Sequence, residues 1–104
     1  MRTLRFLVQG QKIRPDPLCD FSGLVPGSQG YLKAEFIFDE HWAGCKKCAS
    51  FFRMGGMEDA KPIVNNCCMI PDAVLDRKLF HVSVTGKRSG YVITTNRITV
   101  KQGG

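Results

Sequence analysis

Long apolar runs are missing from this chain. Across its 104 residues no stretch approaches the ~18 consecutive apolar residues that a membrane-spanning helix needs. The opening segment Met1–Gln9 is interrupted by Arg5, so it lacks the continuous hydrophobic region of a secretory leader. Helical periodicity is missing as well, and nothing marks an independent helix of about ten residues. Histidine occurs only twice and tryptophan once, which narrows acid–base chemistry. Neither a G-x-S-x-G elbow nor an H-E-x-x-H helix is present. Gly86-Lys87-Arg88-Ser89 resembles the end of a phosphate loop, but His81 stands where the first glycine of that motif is required. The acidic pairs Asp39-Glu40 and Glu58-Asp59 are neighbours in sequence, whereas paired catalytic carboxylates must converge from different positions. The expectation is a protein that is not an enzyme and uses no cofactor.

Positive charge is in excess but dispersed. Fifteen Lys+Arg against nine Asp+Glu give 15 − 9 = +6. The basic pairs Lys46-Lys47, Arg77-Lys78 and Lys87-Arg88 are the longest basic runs. Nucleic-acid binders concentrate such residues on one face or arm and interleave aromatics, so the dispersal argues against nucleic acid as the main partner. The five cysteines, Cys19, Cys45, Cys48, Cys67 and Cys68, are odd in number and lack an export signal. This pattern predicts free thiols acting as small hydrophobes. One half-site for zinc can be drawn from Cys45 and Cys48 in their C-x-x-C spacing, with His41 four residues earlier and one of the later cysteines. The adjacent Cys67 and Cys68 would point to opposite faces of a strand, which leaves that site short of ligands. The expectation is no metal.

What the sequence has in quantity is alternation. Leu4, Phe6 and Val8 share one face of an opening strand. Residues 10–30 carry repeated Gly and Pro and read as one long ordered loop, with Leu18, Phe21, Leu24 and Val25 available to pin it. Leu32, Ala34, Phe36 and Phe38 form an apolar face against Lys33, Glu35, Ile37 and Asp39. Residues 39–44 read as a turn, and Trp42 as a plug for one end of the core. Lys46–Arg53 resumes strand character. Residues 54–61 read as a loop or hairpin end, 63–70 as a short extended stretch, and 71–75 as a single helical turn. Phe80, Val82 and Val84 alternate before a glycine-bracketed turn at 85–90. Residues 91–95 and 97–101 return as strands, with Asn96 at a bend, and 102–104 read as a frayed tail. Six to eight short strands at about ten-residue spacing predict an all-β, compact antiparallel β-sandwich in a single domain, 1–104. The Leu32/Ala34/Phe36/Phe38 and Phe80/Val82/Val84 faces are the expected core partners.

The order of these segments is itself a pattern. Leu4-Arg5-Phe6 is followed by Cys19-Asp20-Phe21-Ser22-Gly23-Leu24-Val25-Pro26-Gly27 and Tyr31-Leu32-Lys33-Ala34-Glu35-Phe36. Next come Trp42-x-Gly44, Ala49-Ser50-Phe51, Cys68-Met69-Ile70-Pro71, Phe80-His81-Val82-Ser83-Val84-x-Gly86 and Ile93-Thr94-Thr95-Asn96. The run resembles small phage and prophage proteins of gut Firmicutes, and the immunoglobulin-like N-terminal modules of phage tail-fibre and baseplate proteins. The resemblance implies an immunoglobulin-like sandwich and a structural role, and it brings no catalytic residues with it. In longer fibre proteins such a module precedes a shaft or a receptor-binding domain. Here it is expected to act alone, as adaptor, decoration or inhibitor.

Two roles follow as expectations. The first is a non-enzymatic virion component, a tail, baseplate or fibre module working through protein–protein contacts with phage or host proteins or with copies of itself. The second is a counter-defence protein that blocks a host nuclease or sequesters its ligand. The expected contact residues are Lys87 and Arg88 on a hairpin, Lys46 and Lys47 near the strand start, and Glu58 and Asp59 in the loop after Gly55. The expected place of action is the virion or the host cytoplasm.

Overall fold

The computed structural model describes residues 1–103. Nine strands form: β1 (Arg2–Gln9), β2 (Lys12–Pro15), β3 (Leu32–Phe38), β4 (Lys46–Arg53), β5 (Glu58–Pro62), β6 (Cys67–Met69), β7 (Leu79–Arg88), β8 (Tyr91–Thr94) and β9 (Ile98–Lys101). Single 3-10 turns sit at Glu40–Trp42 and Asp72–Val74, where the sequence predicts at most one, the second; Asp39 makes the first by capping it. The first sheet has the order β2-β1-β3-β6. The second has the order β5-β4-β7-β8, with β9 also paired to β7. β8 and β9 lie end to end along β7, interrupted at the predicted bend. The fold is the all-β sandwich that the alternation predicts.

The inner faces of β1, β3 and β7 are those read from the sequence, and β4 adds Ala49 and Phe51 to them. Leu4, Phe6 and Val8 of β1, Ala34 and Phe36 of β3, Ala49 and Phe51 of β4, and Phe80, Val82 and Val84 of β7 are all buried. Their aromatic rings make a continuous ladder. Phe21 meets Phe6 edge-on at 5.5 Å, Phe6 stacks on Phe36 at 5.5 Å, Phe36 on Phe38 at 5.9 Å, and Phe38 tilts against Trp42 at 5.2 Å. Such pairs contribute about 0.5–1.5 kcal/mol each beyond the burial of their area.

Several expectations are corrected. The first sheet is mixed, because β1 and β3 run parallel from Arg2↔Leu32 to Val8↔Phe38. A parallel neighbour requires a crossover of a dozen residues or more, and residues 10–31 are that crossover. They are not one loop: Gly10 and Gln11 turn the chain back so that β2 pairs antiparallel with β1, and only then does it cross. Leu24 and Phe21 pin the crossing segment, while Leu18 and Val25 are exposed. Cys19 continues the edge of β1 past the end of β2, accepting from Arg5 N–H and donating to Thr3 O.

Residues 58–62 form β5 instead of a loop, and Asn65 and Asn66, both at positive φ, turn the chain into β6. Asparagine tolerates that conformation. Thr85 to Arg88 belong to β7, and the turn is confined to Ser89-Gly90. The count therefore rises to nine strands. The expected frayed tail is also revised. Gln102 is fully buried, and its Nε2 donates to Leu75 O at 3.2 Å and Arg77 O at 2.9 Å. Gly104 lies outside the described residues.

Gly86 has a specific steric reason. A Cβ at this position would sit 2.8 Å from Trp42 Cε3 and Cζ3 and 3.1 Å from Cys45 Cβ. Gly86→Ala is expected to lower unfolding stability by about 1–3 kcal/mol, the usual cost of overpacking. Denaturant unfolding measures it, and an unchanged midpoint would show that the indole has room to move.

Candidate contact surface

The residues chosen from the sequence fall on different parts of the sandwich. Lys46 and Lys87 come together: they are direct cross-strand partners on β4 and β7, and both are exposed. Like charges in that arrangement repel, and neither lysine belongs to an ion pair among the described residues. Lys47 projects to the other side of β4. Its Nζ lies 5.0 Å from the centre of the Phe38 ring and donates to Cys45 O at 3.4 Å. Arg88 is exposed but held: its guanidinium rests 4.1 Å from the Tyr91 ring centre and donates to Ala43 O at 2.9 Å. Glu58 and Asp59 lie on β5, opposite Phe52 and Phe51 of β4, and not in a loop.

Strand alternation places Lys46, Cys48, Ser50 and Phe52 of β4 on the outer face of the second sheet. Thr85, Ser83 and His81 of β7 stand beside them, with Thr94 of β8 and Thr99 of β9 in line. The centre of this face is built from small side chains, so it is a shallow trough between the longer side chains at its two ends. A hollow of about 410 Å³ lies at the Lys46/Lys87 end, over Cys48, Ser50 and Thr85. A second of about 410 Å³ lies at the other end, lined by Phe52, His81, Arg97 and the 53–58 hairpin. Arg97 stacks 3.6 Å from the centre of the Phe52 ring, and His81 Nδ1 shares a 2.9 Å hydrogen bond with Thr99 Oγ1. In the sequence Arg97 is one isolated basic residue with nothing to mark it. Only the pairing of β7 with both β8 and β9 brings it over Phe52.

The zinc half-site does not assemble. Cys45 and Cys48 are three apart along extended chain and face opposite sides. The one group of three potential ligands among the described residues is Asp39, Glu40 and His41, with no cysteine. Asp39 is committed to the fold: its Oδ2 accepts from Gly10 N–H at 2.7 Å, and its Oδ1 from His41 N–H at 3.1 Å, capping the 3-10 turn. Burial pushes the Cys68 thiol up to about 12, with Cys48 and Cys67 adding to the shift. That thiol stays protonated at neutral pH and packs as a small hydrophobe of the core. All five cysteines are free thiols.

Comparison with known proteins gives no matching family model, no matching curated protein and no matching solved structure.

Burial works to raise the Asp39 carboxyl, but the hydrogen bonds from Gly10 and His41 outweigh it and hold the group below the usual aspartate range. A depressed folded-state value stabilises the fold above the ordinary aspartate pKa of about 3.9 and stops doing so as pH falls through the lower folded value. The melting temperature should therefore drop between about pH 5 and pH 2, and the drop should be shallower in Asp39→Asn. An equal slope in both proteins would remove Asp39 from the acid response.

Proposed function

We propose that this protein is a non-enzymatic β-sandwich module that works by docking the outer face of its second sheet against an acidic protein surface. The observation that carries the reading is the unpaired lysine couple. Lys46 and Lys87 face each other across β4 and β7 with no carboxylate in ion-pair range among the described residues, at a cost of roughly several tenths of a kcal/mol in cross-strand repulsion. An incoming carboxylate would relieve that repulsion. Arg97 offers a third cation at the far end of the same trough, pre-positioned by its stacking on Phe52. The hydroxyls of Ser50, Ser83, Thr85 and Thr94 supply neutral hydrogen-bonding groups between the two ends.

The segment resemblance supplies the setting: a tail, baseplate or fibre adaptor or decoration unit of a phage particle, acting in the virion or in the host cytoplasm where particles assemble. The covering of the aromatic on this face favours protein over single-stranded nucleic acid as the occupant. Phe52, an aromatic of this face, is already covered by Arg97, while single-strand binders keep aromatic faces free to stack bases.

Mass spectrometry of purified particles from an induced host tests the setting, and Lys46→Glu/Lys87→Glu tests the face. The native protein should be found in particles, and the double variant should be lost from them while keeping its melting temperature. Absence of the native protein at good coverage would overturn the particle role. Capture of one stoichiometric host nuclease through the same lysines would establish the inhibitor role in its place.

A further inference from the structure

The sandwich exposes strand edges, and they differ in what they offer. β2 is short and ends in Pro15, β6 has three residues, and the β8–β9 edge is broken between Thr94 and Ile98. β5 is unbroken from Glu58 to Pro62, and β4 is its one partner in the sheet among the described residues.

The phase of the β5 edge is fixed by its ladder. Arg53 N–H donates to Met57 O, and Ile63 N–H donates to Lys47 O. In an antiparallel pair the hydrogen-bonded positions recur every second residue. Positions 57, 59, 61 and 63 therefore bond to β4, and the backbone groups of Glu58, Ala60 and Pro62 point away from it. Asp59 and Lys61 stand two residues apart on one face of the strand, half-buried, and neither belongs to an ion pair among the described residues.

We propose that β5 pairs antiparallel with β5 of a second copy of this chain, about a twofold axis at Ala60. In that register the two Ala60 residues exchange N–H···O=C bonds in both directions, and each Glu58 N–H meets the carbonyl of Pro62 in the other copy. Pro62 has no N–H to give, which ends the ladder there. Asp59 of each copy lies opposite Lys61 of the other, so the pairing closes two opposite-charge contacts. Met57 lies opposite Ile63 of the other copy on the same face, extending the contact with apolar side chains at both ends.

The register is selected by charge. Sliding by one hydrogen-bonding step sets Asp59 against Asp59 in one direction and Lys61 against Lys61 in the other. Directly opposed like charges are destabilising, so the complementary register stands alone. The contact is isologous, as a twofold dimer requires. It uses the edge of β5 and not the Lys46/Lys87 face, so it goes beyond the docking role and does not depend on it.

Sedimentation equilibrium of the full chain, with circular dichroism as the folding check, tests this. The native protein should show a reversible monomer–dimer equilibrium. Asp59→Lys alone and Lys61→Asp alone should each weaken self-association by about tenfold or more. A mixture of the two single variants should associate as a heterodimer, because each Lys at 59 or 61 then meets an Asp. The double exchange Asp59→Lys/Lys61→Asp should recover the native dimer. A native protein that remains monomeric up to about 1 mM, or single variants that dimerise as the native chain does, would overturn the proposal. Lys46→Glu/Lys87→Glu should dimerise normally, so loss of particle incorporation and loss of the dimer are separable results.

Discussion

The seating of Trp42 is the constraint on which the closed end of the sandwich depends. The indole is fully buried and donates from Nε1 to Gly10 O at 2.8 Å. It ends the phenylalanine ladder of the first sheet at Phe38 and lies against Gly86 in the central strand of the second. One side chain thus joins the β1–β2 turn, the β3–β4 connection and β7. The hydrogen bond matters because an indole N–H buried without an acceptor would cost about 1–3 kcal/mol. The absence of a side chain at Gly86 matters because close-packed interiors have no slack to accommodate a methyl group. Asp39 completes the corner, holding Gly10 N–H while capping the turn that carries Trp42.

The opposite end is closed differently. There the crossover segment lays Leu24 and Phe21 over the core. The chain after β9 fastens it, with Gly103 N–H donating to Leu24 O and the buried Gln102 bridging Leu75 O and Arg77 O. Arg2 holds the same segment from the other side through Asp20 O at 2.9 Å and Ser22 O at 2.6 Å. Aromatic packing closes one end, and backbone hydrogen bonding closes the other.

Period-two alternation makes the inner faces of β1, β3 and β7 legible, because each presents a run of apolar residues to one core; β4 carries Cys48 and Phe52 opposite Ala49 and Phe51, so only its pairing shows which face is inside. It could not reveal strands with weak apolar faces. β5 reads Glu-Asp-Ala-Lys-Pro and is a strand because β4 offers it a ladder, not because of its own propensity. β2 was hidden by Pro15, which is tolerated because β2 is an edge. Parallel pairing of β1 with β3 leaves no local mark either, since it depends on where a crossover lands. Gln102 is polar and near the chain end, so composition assigned it to solvent, whereas the acceptors that bury it come from residues more than twenty positions away. The same limit applied to the surface. In the sequence Lys46 and Lys87 belong to separate basic pairs, and their opposition across two strands is a property of register alone.

The two surfaces proposed for contact are geometrically compatible. In an antiparallel pairing, opposed residues lie on the same side of the sheet, so a twofold axis at Ala60 would run perpendicular to the sheet. Both outer faces would then turn the same way, and the second sheets of two copies would form one continuous surface bearing two lysine couples and two Arg97–Phe52 stacks. A partner with repeated acidic sites, as a symmetric assembly presents, would engage both copies at once. The second contact then forms at the high effective concentration set by the first. Weak individual contacts at a shallow trough would suffice, which suits a surface whose charges are few and whose hollows are open. Self-pairing at β5 would also occupy the longest unbroken edge of the fold, converting a general liability for strand addition into a contact whose register the Asp59–Lys61 charges restrict to a second copy of the chain.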